Sequence, residues 1–383
     1  MKVIVAIDSF KGSMTSLEAG AAAKRGILRA CDRAEVLVRP LADGGEGTTE
    51  ALVEGLGGTF RAVSVHGPLG DPHEARYGIL PDGVTAVMEM AEASGIALIP
   101  RERLDPWRTS TVGVGEMILD AVAAGCRSFL LGIGGSATTE CGIGMLSALG
   151  FEFLDGAGEP LPPVFGSLAR VAEIRTGRVP PALAQCRFRV ACDVRNPLCG
   201  PEGAVRVFGP QKGVRPSEAE EMDAAAAHFA GVLSARFGTD FSRHPGAGAA
   251  GGLGFALLTC LPNTTLEPGI SIVLEAIGLE EDLREADIVV TGEGRLDAQT
   301  AMGKVPAGVA GLAKEHGCAV IALAGSVAED AAACHGAGID ALFPILRGVS
   351  TLEEAMDRET ALRNMELTAE QVFRLVRAMN PSL

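Results

Sequence analysis

The sequence predicts an α/β protein with one doubly wound, mostly parallel, Rossmann-like domain and a second, smaller, mixed α/β domain. Three observations carry that expectation. The chain has 383 residues, 47% of them hydrophobic, enough for more than one core. Short, uniformly apolar runs recur along it and end in Gly, Asp or Ser, the pattern of buried parallel strands. Segments with helical periodicity stand between those runs.

In order, the strand-like runs are KVIVAID (2–8), AEVLVRPLA (34–42), SFLLGIGG (128–135), DIVVTGE (287–293), AVIALAG (319–325) and ALFPIL (341–346). Helices are expected at 16–30, 112–125 and 305–317, a long one at 216–238, and a further helical stretch over 351–379 whose charges form a solvated face. Residues 61–105 carry the turn residues of hairpins, as in HGPLGDPHEARYGILPDG. The expected division is discontinuous. Residues 1–60, 107–146 and 272–383 form the Rossmann-like domain, and 61–106 with 147–271 form the second.

Composition excludes several function classes. A formal charge of −15 opposes encounters with nucleic acid or anionic membranes, while a local pocket can still attract a small anion. The nine cysteines are scattered and contain no C-x-x-C, which gives neither a disulfide framework nor a zinc site. The chain opens directly on a strand pattern, and its longest apolar run is about a third glycine and short for a membrane span. A soluble protein of the reducing cytoplasm is expected.

Chemistry gathers at the strand ends. Asp8-Ser9-Phe10-Lys11-Gly12-Ser13 follows the first run and Asp43-Gly44-Gly45-Glu46-Gly47-Thr48 the second. Gly134-Gly135-Ser136-Ala137-Thr138 and Gly292-Glu293-Gly294-Arg295-Leu296-Asp297 follow two others. Glycines let backbone amides approach anionic oxygens, and helix starts add their positive ends. The carboxylates among them repel a bare phosphate, which points to a divalent cation such as magnesium between them.

Only six of the 33 cationic side chains are lysines, and three of these six, Lys11, Lys212 and Lys304, stand in glycine-rich turns. An ammonium is a compact point charge that the arginine fork does not replace. At about 4 Å and an effective dielectric near 20, such a charge is worth roughly 4 kcal/mol against a phosphate oxygen. Histidines avoid the strongest of these clusters, so a carboxylate is the expected base.

Standard nucleotide signatures fit poorly. MGKVP lacks the first glycine and the Ser/Thr of a P-loop. Gly246-x-Gly248-x-x-Gly251 matches the dinucleotide fingerprint, but SRHP rather than a strand run precedes it. That match leaves an NAD-dependent hydroxy-acid dehydrogenase as one alternative function. A non-enzymatic sensor that closes on a small acid is another.

The segments DSFKGS, ADGGEGT, GIGGSAT, ACDVRNPLCG, FGPQKG, PGAGAAGGLG and TGEGRLDAQT followed by GKVP occur in this order from Asp8 to Pro306. Together they resemble the type I glycerate kinase family. The resemblance implies two α/β domains with an active-site cleft between them, and phosphorylation of D-glycerate by ATP to 2-phosphoglycerate. Family members commonly read Asn-Asp-Gly-Gly after GGSAT, where this chain has Thr139-Glu140-Cys141-Gly142, and carry Glu where it has Gly12.

A kinase needs positioning, neutralised charge and an acceptor for the hydroxyl proton. Asp193 ends an apolar run and is the first candidate base, Asp297 the second, and Lys11 completes the catalytic set. Ser9, Asn196, Gln211, Lys212 and Arg295 are the expected glycerate contacts, with Arg295 gripping the carboxylate. Gly134, Gly135, Ser136, Thr138, Gly292, Glu293, Gly294 and Lys304 are the expected nucleotide contacts. Asp43 and Glu46 are the expected magnesium ligands. The expected partners are ATP, magnesium and D-glycerate, with no nucleic acid and no membrane, and a homodimer is left open.

Overall fold

The computed structural model describes residues 1–380, in two compact units. The first is Met1–Asp43, Glu50–Leu56 and the chain from Ile270 onward; the second is Gly44–Thr49 and Gly57–Gly269. In chain order the strands are β1 (Lys2–Ile7), β2 (Glu35–Pro40), β3 (Thr59–His66), β4 (Pro72–Ile79), β5 (Thr85–Glu89), β6 (Ser128–Gly132), β7 (Glu152–Leu154) and β8 (Glu173–Arg175). Then come β9 (Arg187–Ala191), β10 (Thr264–Glu267), β11 (Ile288–Thr291), β12 (Arg295–Leu296), β13 (Ala319–Ala324), β14 (Ser326–Val327) and β15 (Ala341–Pro344).

The first unit has a five-stranded sheet of order β15-β13-β11-β1-β2. Every pairing in it is parallel, with Val5 beside Val290 on one side and Val38 on the other. Covered on both faces, β1 reads as a continuous apolar run with five of its six residues buried. The core joins Val3, Val5 and Ile7 to Ala23 and Ile27 of the helix Ser16–Ala30, and to Met365 and Phe373 of the helix Arg358–Met379. Thr15 and Glu18 form a reciprocal capping box that starts the first of these helices. The two helices touch at Gly26, where a Cβ would stand 2.0 Å from the Glu366 carbonyl oxygen.

The C-terminal stretch expected as one helical segment is two helices, Leu352–Met356 and Arg358–Met379. Asp357 breaks it with an extended ψ of 126°, and its side chain accepts the Thr360 N–H to start the second helix.

The second unit has a six-stranded sheet of order β10-β9-β6-β5-β4-β3. The β3–β4 hairpin and the β4–β5 pair are antiparallel, and β5–β6, β6–β9 and β9–β10 are parallel. The assignment of 107–146 to the first domain is therefore corrected: β6 pairs with β5 and β9, and Phe129 stacks on Phe188 with ring centroids 4.7 Å apart. A uniformly apolar parallel strand has the same pattern in either sheet, so its sequence does not name its partner. With that segment the second unit takes the longer share of the chain. Among the described residues, no helix is long and apolar enough to cross a membrane.

Candidate active site

Taken in chain order within the first unit, its sheet runs second, first, third, fourth, fifth. In that doubly wound arrangement the strand order reverses beside the first strand, and ligands gather there at the carboxyl ends. The loops after β1, β11, β13 and β15, with Asp43 beyond β2, line a cavity of about 620 Å³.

Local backbone bonds shape its walls. The Asp8 N–H donates to the Gly292 carbonyl at 2.9 Å, joining the ends of β1 and β11. The Ser9 N–H donates to Asp8 Oδ1 at 2.7 Å, and the Phe10 N–H to the Met14 carbonyl at 2.9 Å. Gly292 admits no side chain, since a Cβ would lie 1.9 Å from the Leu323 carbonyl oxygen. Beyond it, β12 pairs with β14 and holds Arg295 at the rim, its side chain 69% exposed and its Nε 3.6 Å from Asp297 Oδ2.

Carboxylates crowd this cavity. Asp8 is only 8% exposed, and burial pushes its carboxyl up to about 7. The Ser9 amide opposes that shift, the neighbouring acids Asp43 and Glu293 reinforce it, and Lys11 opposes it. Burial also raises Glu293, against the Thr300 hydroxyl, which donates to Glu293 Oε1 at 2.6 Å, and against Lys304. Asp297 accepts the Gln299 N–H at 3.0 Å.

Lys304 is the N-cap residue of the helix Val305–Glu315, and its side chain lines the cavity. Gly303 before it has φ of 106°, a conformation that suits glycine, and Pro306 sits in the first turn where no N–H is missed. The glycine and the proline thus aim the lysine at the strand ends.

In the second unit, two buried charged side chains are each tied to neutral groups, while Glu140 Oε2 is buried without a hydrogen-bond partner among the described residues. Lys212 is 2% exposed, and its Nζ donates to Ser136 Oγ at 2.6 Å and to the Thr138 carbonyl at 2.7 Å. Burial pushes its ammonium down to about 7, with Glu140 opposing. Glu140 is 1% exposed and accepts the Thr111 N–H at 2.7 Å and the Thr111 hydroxyl. Burial pushes it up to about 7, with those bonds opposing. Lys212 therefore holds the 134–138 loop in this structure, instead of presenting its ammonium to solvent.

Some of the other expected positions in this unit lie on loops that meet the 44–49 turn, where a Cβ at Gly134 would stand 3.7 Å from Gly45 Cα and one at Gly44 2.7 Å from Gly269 Cα. Asp193 is exposed just after β9, and its Oδ1 accepts the Gly269 N–H at 3.0 Å. Asn196 Nδ2 donates to the Glu202 carbonyl at 2.8 Å, and Gln211 is exposed in a short turn. Glu46 is exposed in the 44–49 turn, whose Gly47 and Thr49 amides donate to the buried Glu89 carboxylate at 3.3 and 2.8 Å. Residues 246–252 form no dinucleotide turn. Ala250, Gly251 and Gly252 have left-handed dihedrals that kink the helix Ala249–Cys260, and a Cβ at Gly251 would stand 2.1 Å from the Thr138 carbonyl oxygen. Gly251 packs beneath the 134–142 loop while Gly246 and Gly248 pack against residues 192–197, which removes the basis for the dehydrogenase alternative.

Of the residues expected from sequence, Ser9, Lys11, Asp43, Glu293, Gly294, Arg295, Asp297 and Lys304 line this cavity of the first unit. Three features were missed. Asp8 looked like an ordinary turn residue, although an acid directly after a buried first strand signals the switch point. Glu89 lies at the end of a strand whose neighbours gave no motif. The apolar part of the cavity wall, from Phe10 and residues 345–361, lies outside the segments that carry the family resemblance apart from Phe10.

A model of the glycerate kinase family matches residues 3–377 of this chain. The glycerate kinase of Bacillus subtilis (strain 168) is 46% identical over 97% of this chain and 97% of its own. The glycerate 2-kinase of Escherichia coli (strain K12) is 44% identical over 93% of each chain. The crystal structure of a Salmonella typhimurium LT2 protein that carries the name glycerate kinase 2 superposes with a TM-score of 0.92 at 41% identity, covering 100% of this chain and 99% of that one. This chain belongs to the glycerate kinase family of enzymes.

Proposed function

We propose that the protein transfers the terminal phosphoryl group of ATP, in line, to D-glycerate and releases 2-phosphoglycerate. The observation that carries this reading is the first unit's cavity, where Lys11 and Lys304 share a lining with Asp8, Asp43 and Glu293. Members of the family carry the name glycerate kinase, which supplies the acceptor.

In this reading Lys11 and Lys304 contact phosphate oxygens as point charges. Arg295, held at the rim by β12, offers its fork to the glycerate carboxylate with Ser9 nearby. Asp193 accepts the hydroxyl proton, oriented by the Gly269 amide on its other oxygen. Asp297 is the second acceptor.

The acids fit a magnesium ion carried by the nucleotide. Burial and like charge raise Asp8 and Glu293, a cost that a cation removes. Among the described residues, no three His, Cys, Asp or Glu side chains come together as a self-sufficient metal cluster. Magnesium needs only one or two protein carboxylates when phosphates and waters complete its shell. One or two of Asp8, Asp43 and Glu293 would hold it, ahead of the exposed Glu46. When bound, it neutralises charge on the phosphoryl oxygens. We place the enzyme in the cytoplasm, where its nine thiols stay reduced.

A coupled assay of ADP release with D-glycerate, followed by phosphorus NMR of the product, tests the reading. The expected result is glycerate-dependent ADP release, abolished by chelator and restored by magnesium, with the phosphorus on the 2-oxygen. Absence of glycerate-dependent ADP release would overturn it.

A further inference from the structure

The acids and lysines account for only part of the cavity's wall. The rest is apolar, contributed by Phe10, Ile345, Leu346, Leu352, Met356 and Ala361. Phe10, Ile345 and Ala361 belong to the buried core of the first unit, at 5%, 2% and 2% exposure. Leu352 is 76% exposed, and Leu346 and Met356 are 38% exposed each. Large apolar side chains gathered in the open wall of a polar cavity mark a surface that a ligand covers.

The chain builds this wall deliberately. The helix Leu352–Met356 is too short to be stable alone, yet Thr351 and Glu354 form a complete capping box at its start. Asp357 then ends it and starts the next helix. The two caps fix a corner that presents Leu352 and Met356 to the cavity, and a Cβ at Gly12 would stand 3.0 Å from Met356 Cε.

Glycerate does not explain such a wall. It is a three-carbon acid whose surface is almost wholly polar, and it would occupy a small part of about 620 Å³. A nucleotide matches both parts of the lining, with phosphates for the lysines and carboxylates and a flat base with apolar faces for the rest. We infer that the apolar wall formed by Phe10, Ile345, Leu346, Leu352 and Met356 is the nucleobase subsite. The inference rests on the kinase reading for the phosphates, and it adds where the base lies. The 134–138 loop then has no part in holding the base.

Leu352→Asp tests it, because that side chain is mostly exposed and its loss leaves the core untouched. The expected result is a KM for ATP raised at least about tenfold, with the KM for glycerate within about twofold. Inhibition by inorganic triphosphate, which has no base, should be the same in wild type and variant. An unchanged KM for ATP, or equal weakening of ATP and triphosphate, would overturn the subsite.

Photolabelling with 8-azido-ATP separates this inference from the kinase reading. Label on the peptide spanning 345–361 supports the subsite even if glycerate proves not to be the acceptor. Label confined to second-unit peptides, in an enzyme that turns over glycerate, defeats the subsite and leaves the kinase reading intact.

Discussion

The two units handle buried charge in opposite ways. In the first, Asp8 is 8% exposed beside Asp43 and Glu293, and these acids line open space. In the second, Lys212 and Glu140 are 2% and 1% exposed and are bonded to Ser136, Thr138 and Thr111. Burial raises Asp8 and Glu140 alike, to about 7 in both cases. A perturbed carboxyl is therefore not by itself a sign of function. The difference lies in what surrounds it. Mutually repelling acids facing a cavity call for a cationic ligand, whereas a lysine bonded to a hydroxyl and a backbone carbonyl oxygen shapes a loop.

The comparison can be broken by substitution. Asp193→Asn should have the largest effect on turnover, a loss of roughly two to four orders of magnitude with the melting temperature unmoved. Asn keeps an acceptor for the Gly269 N–H but loses the charge and the capacity to take a proton. More than half the wild-type turnover in a folded variant would reduce Asp193 to a tether, and Asp297→Asn would then be the variant to lose activity.

Lys212→Met should act mainly on stability. It loses two hydrogen bonds made by a charged donor, each worth about 1.5–3 kcal/mol. Urea unfolding followed through the second unit's single tryptophan, Trp107, reads that loss. An unchanged midpoint combined with lost glycerate affinity would make Lys212 a direct substrate contact, as its sequence context suggested.

Lys304→Arg should have the smallest effect of the three, about a tenfold loss of turnover with unchanged stability, because a fork does not occupy a point-charge site. Full turnover would mean that the residue survives by chance among 27 arginines, the remainder of the 33 cations once the six lysines are removed.

Much of the first unit was legible in sequence. Runs such as KVIVAI and AVIALA are buried on both faces, and nothing but a central parallel strand accommodates them. The acids of TGEGRLD were legible for the same reason, since they follow on such a strand, and Lys304 stood out as one of only six lysines. What was not legible depends on partners distant in the chain. The partners of β6, the burial of Lys212 under Ser136 and Thr138, and the place of Leu352 in a cavity wall with Phe10 are set by residues distant in the chain. The break at Asp357 is local, but Asp followed three residues later by Thr is a weaker cap signal than a capping box.

The central claim is that the first unit holds its cavity acids against stability so that a charged ligand can satisfy them. Asp8→Asn tests it most directly, with melting temperature measured against pH in the absence of nucleotide and turnover measured beside it. Because the folded protein raises Asp8 above its ordinary range, its contribution to stability is complete below about pH 4 and is lost as pH rises through about 7. Asn keeps an acceptor for the Ser9 N–H and carries no charge. The variant should melt above wild type at about pH 7.5, lose that advantage as pH falls toward about 4, and turn over at least a hundredfold more slowly. A variant that melts below wild type at neutral pH, or that retains its turnover, would contradict the account.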